Sequence, residues 1–405
     1  MKGSWFALIY FDNAATTPVD EAVLSAMMPY FQDDFGNPES VHAAADKPSA
    51  AIKNAEEQVS EFLLHADHHG MVIFTSGGTE SNNMAFGLAG NVDPLCMNII
   101  TSATEHKSVL EPARSCMRSK LRVLKPGKKG YISADDISVN EIPAFTLVSL
   151  MHMNNETGTV NDVYEIGEKL SAFSDMDVFF HVDCVQSAGA LGIFVNEMHA
   201  DLVSISAHKI HGPKGVGCLW VSDRVLERVG DRKVISMIRG GGQQYGFRAG
   251  TMNVPGIVGL GEAAELAGKY VDEHFASGDD TVIGDWFRND LDLECKKRGI
   301  KYHINFDQFL HHHDKVLSVT FPKADAETVV MIASENGLCI SNGAACNSVL
   351  SEPSYVLTSS GMSPEKARNT VRVSFSRFNT CDDCKAGAEI LAEAVSEVLG
   401  LTAEA

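Results

Sequence analysis

The sequence predicts an α/β protein in which a mostly parallel sheet, covered by helices on both faces, is followed by a smaller α/β unit. Three observations predict it. A chain of 405 residues is too long for one small module, and at roughly 150 residues per domain it implies two or three. Apolar residues make up 44% and charged residues 21%, the balance of a globular chain and not of a disordered or fibrous one. Short β-branched runs alternate with amphipathic stretches along most of the length, which is the rhythm of βαβ units.

The elements follow in order. Met1 to Tyr10 has one positive charge and a short apolar run, and leads directly into Phe11-Asp12-Asn13. It reads as a first strand, not an export signal. Pro48 to Leu64 is an amphipathic helix. Met71 to Thr75 is a buried strand ending in Ser76-Gly77-Gly78, and Met84 to Leu88 is helical. Strands are expected at Asn98 to Ser102, Phe145 to Met151, Val178 to Val182, Leu202 to Ser206 and Gly217 to Val221, with a helix from Val163 to Phe173. From Pro255 a long helix begins, covering Ile257 to Lys269, and the pattern becomes less regular. Val316 to Phe321 and Val371 to Phe375 read as strands of the smaller unit, and Asp382 to Leu399 as the last helix. The rhythm divides the chain into a large unit, 14–256, and a small unit formed by 1–13 with 257–405.

Thirty-three basic against fifty-three acidic residues give a net charge of −20. The longest basic runs are Lys128-Lys129 and Lys296-Lys297-Arg298, so direct nucleic-acid binding is not expected. No stretch approaches the roughly 18 uninterrupted apolar residues of a membrane helix. The nine cysteines are irregularly spaced and read as reduced thiols of a cytoplasmic protein.

Four segments carry chemistry. In Ser206-Ala207-His208-Lys209, a strand end puts a lysine beside a hydroxyl and an imidazole. A lysine deprotonated by burial attacks carbonyls, and Ser206 and His208 can hold an anion next to it; the plain alternative is a solvated loop lysine. Asp183, after an apolar strand, needs a partner such as a pyridinium nitrogen, or else caps a helix. Cys184 should point the opposite way, into the core. Ser76-Gly77-Gly78-Thr79 opens a helix after a strand and suits a phosphate, although no Lys follows as in a Walker loop. His106, in Thr104-Glu105-His106, could stack on a flat cofactor or shuttle protons, or simply be solvated.

Together these segments resemble the group I cysteine desulfurases, the NifS/IscS type of the class V aminotransferase superfamily. The similarity extends from Phe11-Asp12-Asn13-Ala14-Ala15-Thr16-Thr17-Pro18 to Arg372-Val373-Ser374-Phe375-Ser376-Arg377-Phe378. It includes Phe35-Gly36-Asn37-Pro38, Met153-Asn154-Asn155-Glu156-Thr157-Gly158, Gly240-Gly241-Gly242-Gln243 and Arg248-Ala249-Gly250-Thr251. The resemblance implies the type I fold of pyridoxal-phosphate-dependent transferases, with a seven-stranded sheet. It implies that Lys209 binds pyridoxal 5'-phosphate covalently, that Asp183 pairs with the ring nitrogen and that Gln186 bonds the ring hydroxyl oxygen. His106 stacks on the ring, Asn155 lies beside it, and Gly78, Thr79, Ser206 and His208 hold the phosphate. Thr251 reaches the phosphate of a second subunit, which implies a homodimer. Asn155 and Arg372 bind the substrate carboxylate, a task the planar fork of arginine suits.

Ser341-Asn342-Gly343-Ala344-Ala345-Cys346-Asn347-Ser348 matches the family's nucleophile segment, with Asn342 and Ala344 in place of two serines. Cys346 is therefore implied to take sulfur from L-cysteine as a persulfide, with Lys209 moving the α-proton and His106 managing a second proton. The sulfur then passes to an acceptor protein. The chain stops soon after its last helix, where housekeeping relatives extend further, which hints at a dedicated acceptor; iron–sulfur assembly, DNA phosphorothioation and tRNA thiolation are candidate destinations. Selenocysteine lysis or aminotransfer on the same fold, and a non-catalytic scaffold, are the rival readings. Gln244-Tyr245-Gly246-Phe247 also departs from the family's more charged pattern. No metal site is expected: Cys381-x-x-Cys384 reads as structural, and His303 with His311-His312-His313 as solvated loop.

Overall fold

A computed structural model describes residues 8–64, 70–92, 97–116, 120–138, 145–173, 178–230, 237–277, 283–307, 311–342 and 352–401. The first half runs β1 Ile9–Tyr10, α1 Glu21–Met27, α2 Pro29–Gln32, α3 Asp46–Leu64, β2 Met71–Thr75, α4 Gly78–Val92, β3 Asn98–Ser102, α5 Lys107–Ser115, β4 Lys120–Leu124, β5 Thr146–Met151, α6 Val163–Ser171 and β6 Val178–Asp183. It continues with β7 Leu202–Ser206, β8 Gly217–Val221, α7 Asp223–Val229, α8 Val254–Ser277, α9 Ile283–Arg298, β9 His303–Ile304, β10 Val316–Thr320, α10 Ala326–Glu335, β11 Leu338–Cys339, α11 Tyr355–Ser359, α12 Pro364–Arg368, β12 Thr370–Ser374 and α13 Cys381–Val398.

A seven-stranded sheet has the order β2-β8-β7-β6-β5-β3-β4. β8 runs antiparallel to β2 and β7, and the other neighbours are parallel. Apart from the edge strand β4, its strands are buried on both faces because helices cover both, so their sequences are mostly apolar runs. Along β6, Val178, Phe180 and Val182 enter one core while Phe179 enters the core on the opposite face. A second unit pairs β12-β10-β9 antiparallel and β1 with β11 in parallel, around Phe11, Phe287, Phe321 and Phe375.

The division expected at 257 falls inside α8. Ile257, Leu260, Ala263 and Ala264 sit in the core of the large sheet, whereas Phe287 and Leu291 of α9 belong to the second core. We propose the boundary after α8, with Ile9 and Phe11 grouped with the small unit.

Two expectations about side chains have clear outcomes. Cys184 is fully buried, as the strand alternation requires. His303 is exposed, but the histidine run is only partly solvated: the His312 side chain is 4% exposed, pairs through Nδ1 with Asp314 at 2.9 Å and meets Thr157 O through Nε2 at 3.0 Å. His311 pairs with Asp162 at 3.0 Å and stacks on Tyr131. These imidazoles fasten the turn after β5 to the strand β10, a long-range packing role that local polarity does not reveal. Gly158 makes the approach possible, since a Cβ there would lie 2.3 Å from Val316 O. No metal-binding cluster of His, Cys, Asp or Glu occurs among the described residues, and none of their helices is long and apolar enough to cross a membrane.

Gln244, in the segment that departs from the family pattern, caps the edge of the sheet. Its Oε1 accepts from Phe74 N at 2.7 Å and its Nε2 donates to Phe74 O at 2.9 Å, so a side chain serves as the missing neighbour of β2.

Candidate active site

Ligands of open α/β sheets bind beyond the carboxyl ends of the strands. Here β2, β3, β5, β6 and β7 all end on one side, and each contributes a polar segment to a cavity of about 350 Å³. Gly78, Thr79, His106, Asn155, Asp183, Gln186, Ser206, His208, Lys209 and Arg372 all line it. Thr251 does not; it is exposed elsewhere on the surface. Cys346 lies outside the described residues.

Asp183 ends β6 and is 5% exposed. Its direct hydrogen-bond donors among the described residues are neutral: Asn82 Nδ2 at 2.8 Å and Val185 N at 3.0 Å. Burial raises its carboxyl above the usual aspartate range, while those donors and the charges of His106 and Lys209 oppose the rise. Such a carboxylate favours a cationic partner. Lys209 follows β7, and its Nζ donates to Ala14 O at 2.6 Å and Ala15 O at 2.7 Å. Gln186 donates to the same Ala14 carbonyl at 2.9 Å, and among the described residues its Oε1 has no partner.

His106 is the N-cap of α5: its Nδ1 accepts from Ser108 N at 3.1 Å. Burial holds its imidazole below the usual histidine range; the Asp183 charge opposes that shift, while Lys209 and Lys107 add to it, so the neutral form is favoured near pH 7. His208 is lowered to about 4, chiefly by burial and then by Lys209. At the start of α4, Gly77 has φ +145°, and a Cβ on Gly78 would lie 2.7 Å from Val185 Cγ2. Glycine therefore allows the helix N-terminus to close on Val185, just after β6 and beside the end of β7, where the buried Ser206 Oγ has no partner among the described residues. Arg248 holds Glu80, in the first turn of α4, at 2.9 Å.

Arg372, on β12, is the cation at the other end. Nη2 binds Asp12 at 2.7 Å, Nη1 donates to Asn155 O at 3.1 Å, and Nε is buried without a partner among the described residues. Both described flanks of segment 343–351 are bonded to cavity residues. Ser341 exchanges backbone bonds with Arg372, and Ser354 Oγ donates to Glu156 Oε2 at 2.5 Å.

Residue-type reasoning missed several members of this wall. Asn82, Ser108, Glu156 and Tyr355 line the cavity, and the carbonyls of Ala14 and Ala15 receive Lys209. A carbonyl leaves no trace in side-chain chemistry, whereas Glu156 falls within the Met153–Gly158 motif and could have been singled out there.

The residues present fit pyridoxal phosphate. A helix N-terminus with an orphaned hydroxyl suits its phosphate, a buried carboxylate with neutral donors suits its pyridinium, and a lysine at a strand end suits its aldehyde.

A family model for aminotransferase class V matches residues 9–386. The chain belongs to this family, whose members use pyridoxal phosphate. Within it, the chain is of the IscS/NifS cysteine desulfurase type. It is 36% identical over 394 residues to a cysteine desulfurase IscS of Anaeromyxobacter dehalogenans, covering 96% of this chain and 93% of the relative. Among solved structures, a NifS-like protein superposes with a TM-score of 0.82 at 29% identity, covering 96% of this chain and all of the other. SspA in complex with cysteine superposes at 0.74 with 34% identity, covering 92% and 99%.

Proposed function

We propose that this protein removes sulfur from L-cysteine, releases L-alanine and holds the sulfur as a persulfide on Cys346 for transfer to an acceptor protein. The observation that carries the reading is the single cavity shared by Lys209, Asp183, His106 and Arg372, with both flanks of the Cys346 segment bonded to its wall.

Bound pyridoxal phosphate supplies a conjugated ring that takes up charge from the substrate's α-carbon. Gly78 N–H, Thr79, Ser206 and His208 hold its phosphate, and Asp183 keeps a proton on its ring nitrogen. Gln186 would bond its ring hydroxyl, and Asn155 would lie beside it. Lys209 Nζ would hold the cofactor and would take the proton from the substrate's α-carbon. Arg372 grips the substrate carboxylate, with Asn155 beside it. His106 manages the proton exchanged as the substrate sulfur reacts. The Cys346 thiolate attacks that sulfur: the C–S bond breaks, an S–S bond forms, and alanine leaves.

Other cysteines are poorly suited to carry the sulfur. Burial pushes the Cys116, Cys184 and Cys339 thiols up, and takes Cys218, Cys295 and Cys384 up to about 12. None of these lines the cavity.

The enzyme acts as a homodimer in the cytoplasm, with Thr251 completing the second subunit's phosphate site. Exposed apolar side chains near Thr251 support a partner surface: Phe35, Val41 and Tyr245 are all exposed, and Gln243 links their segments through Glu39 and Gly250 N. The sulfur is destined for a protein thiol serving iron–sulfur assembly, DNA phosphorothioation or tRNA thiolation.

The test incubates cofactor-loaded protein with L-cysteine, following alanine release and protein-bound sulfur by mass spectrometry. The wild type should yield alanine and a persulfide on Cys346, and Cys346→Ser should bind the cofactor and yield neither. Normal alanine production by Cys346→Ser, with sulfur on another cysteine, would overturn the assignment.

A further inference from the structure

His106 and Asp183 approach the cavity from different elements, α5 and β6, yet a continuous line of hydrogen bonds joins them. Ser108 Oγ lies 2.7 Å from His106 Nδ1. Asn82 Nδ2, on α4, lies 2.8 Å from Ser108 Oγ and 2.8 Å from Asp183 Oδ2. The direction of every bond follows from one fixed donor. Ser108 N–H points at His106 Nδ1, so that nitrogen carries no proton in this arrangement. The Ser108 hydroxyl is then also a donor to Nδ1, and its lone pairs face Asn82. The Asn82 amide nitrogen has two hydrogens, one for Ser108 and one for Asp183. Turning that amide over would set Oδ1 against the Asp183 carboxylate. The line therefore has one self-consistent polarity, and the proton of neutral His106 sits on Nε2.

We propose that Asn82 and Ser108 are positioning residues that lock His106 as the Nε2–H tautomer and tie its ring to the Asp183 carboxylate. The functional meaning rests on the reading above, in which these two groups flank the cofactor ring. A neutral His106 with Nδ1 saturated by donors can exchange protons with the cavity only through Nε2. The charges that face it are Asp183 of β6, Lys209 after β7 and Lys107 of α5, and burial acts with the two lysines to keep the ring neutral. Ser108 and Asn82 are 7% and 1% exposed, so water does not readily replace either donor.

The experiment labels histidine with nitrogen-15 in the cofactor-free protein and reads both ring nitrogens of His106 by two-bond proton correlation across pH. In the wild type, Nε2 should carry the proton and Nδ1 none. Ser108→Ala removes a donor that favours the neutral ring, so the His106 titration should rise by roughly 0.5 to 1 pH unit. Ser108→Thr keeps the hydroxyl and should restore it. Asn82→Ala and Ser108→Ala should be non-additive on that titration, because they break one line of bonds. A proton on Nδ1 in the wild type, an unmoved titration in Ser108→Ala, or additive effects would overturn the proposal. Should a variant fail to fold, the wild-type tautomer alone decides. None of these readouts uses sulfur transfer, so failure here is distinct from failure of the proposed activity.

Discussion

Glu156→Gln isolates the effect of a buried acid on both stability and substrate binding. Glu156 is 6% exposed, lines the cavity and accepts from Ser354 Oγ. Burial raises its carboxyl from the usual 4.5 to about 7, against the opposing pull of Ser354, Arg372 and Lys107. The folded state thus holds a proton that the unfolded chain has released above pH 4.5. The associated stability is fully present below that value and is lost as pH rises through about 7. At 1.36 kcal/mol per unit, the full span is about 3 kcal/mol. Glutamine mimics the protonated acid and keeps an acceptor for Ser354, so the variant should not show this loss. Differential scanning fluorimetry of both proteins at pH 5 and pH 8.5 reads the difference. For 405 residues, the gap between variant and wild type should widen by roughly 3 °C at the higher pH. Ionised Glu156 also competes with the substrate carboxylate for Arg372, so the KM for L-cysteine should rise with pH more in the wild type than in the variant. A gap in melting midpoint that is the same at both pH values would refute the reasoning.

Lys209→Ala should abolish covalent attachment of the cofactor, read as loss of the borohydride-fixed mass increase, and with it all alanine release. Arg372→Ala should raise the KM for L-cysteine by about 10- to 100-fold through loss of a charge-assisted clamp, with a smaller change in kcat; an unaltered KM would place the clamp elsewhere. Gln244→Ala should accelerate hydrogen exchange at the Phe74 amide by about 5- to 10-fold, the equivalent of about 1 kcal/mol for the lost edge bond. Unchanged exchange would mean that Gln244 does not protect that edge.

Strands buried on both faces were the most readable elements. β2, β3, β7 and β8 match their expected bounds because each is an apolar run closed by turn residues. β4 went unread: Lys120-Leu121-Arg122-Val123-Leu124 is an edge strand interrupted by the charges of Lys120 and Arg122, so no apolar run marks it. β1 falls at the end of the segment expected as a first strand, whereas the two-residue β9 and β11 went unread and are held by pairing with β10 and β1. α4 was recognised only from Met84 to Leu88, since its polar first turns serve the cavity and do not pack in the core. Lys209 and Asp183 were singled out by residue type and Arg372 through the resemblance, and all three line the cavity. Asn82 and Ser108 act on other residues, and only the crossing of α4, α5 and β6 brings them together.

The segment from Ile9 to Thr17 begins beside β11, takes bonds from the last strand and ends beneath Lys209. Ser374 receives Asn13 N at 3.3 Å and Ala14 N at 2.9 Å, while Thr17 N donates to His208 O at 3.0 Å. Contacts separated by 360 positions belong to the slowest class of chain closure. At a synthesis rate of 5 to 20 residues per second, Ala14 emerges roughly 20 to 70 s before Ser374. During that interval the large sheet can assemble with Lys209 at its strand end and Thr17 bonded to His208, while the bonds from Asn13 and Ala14 to Ser374 are still missing. A message cut short before β12 would yield a cradle without those bonds and without Arg372.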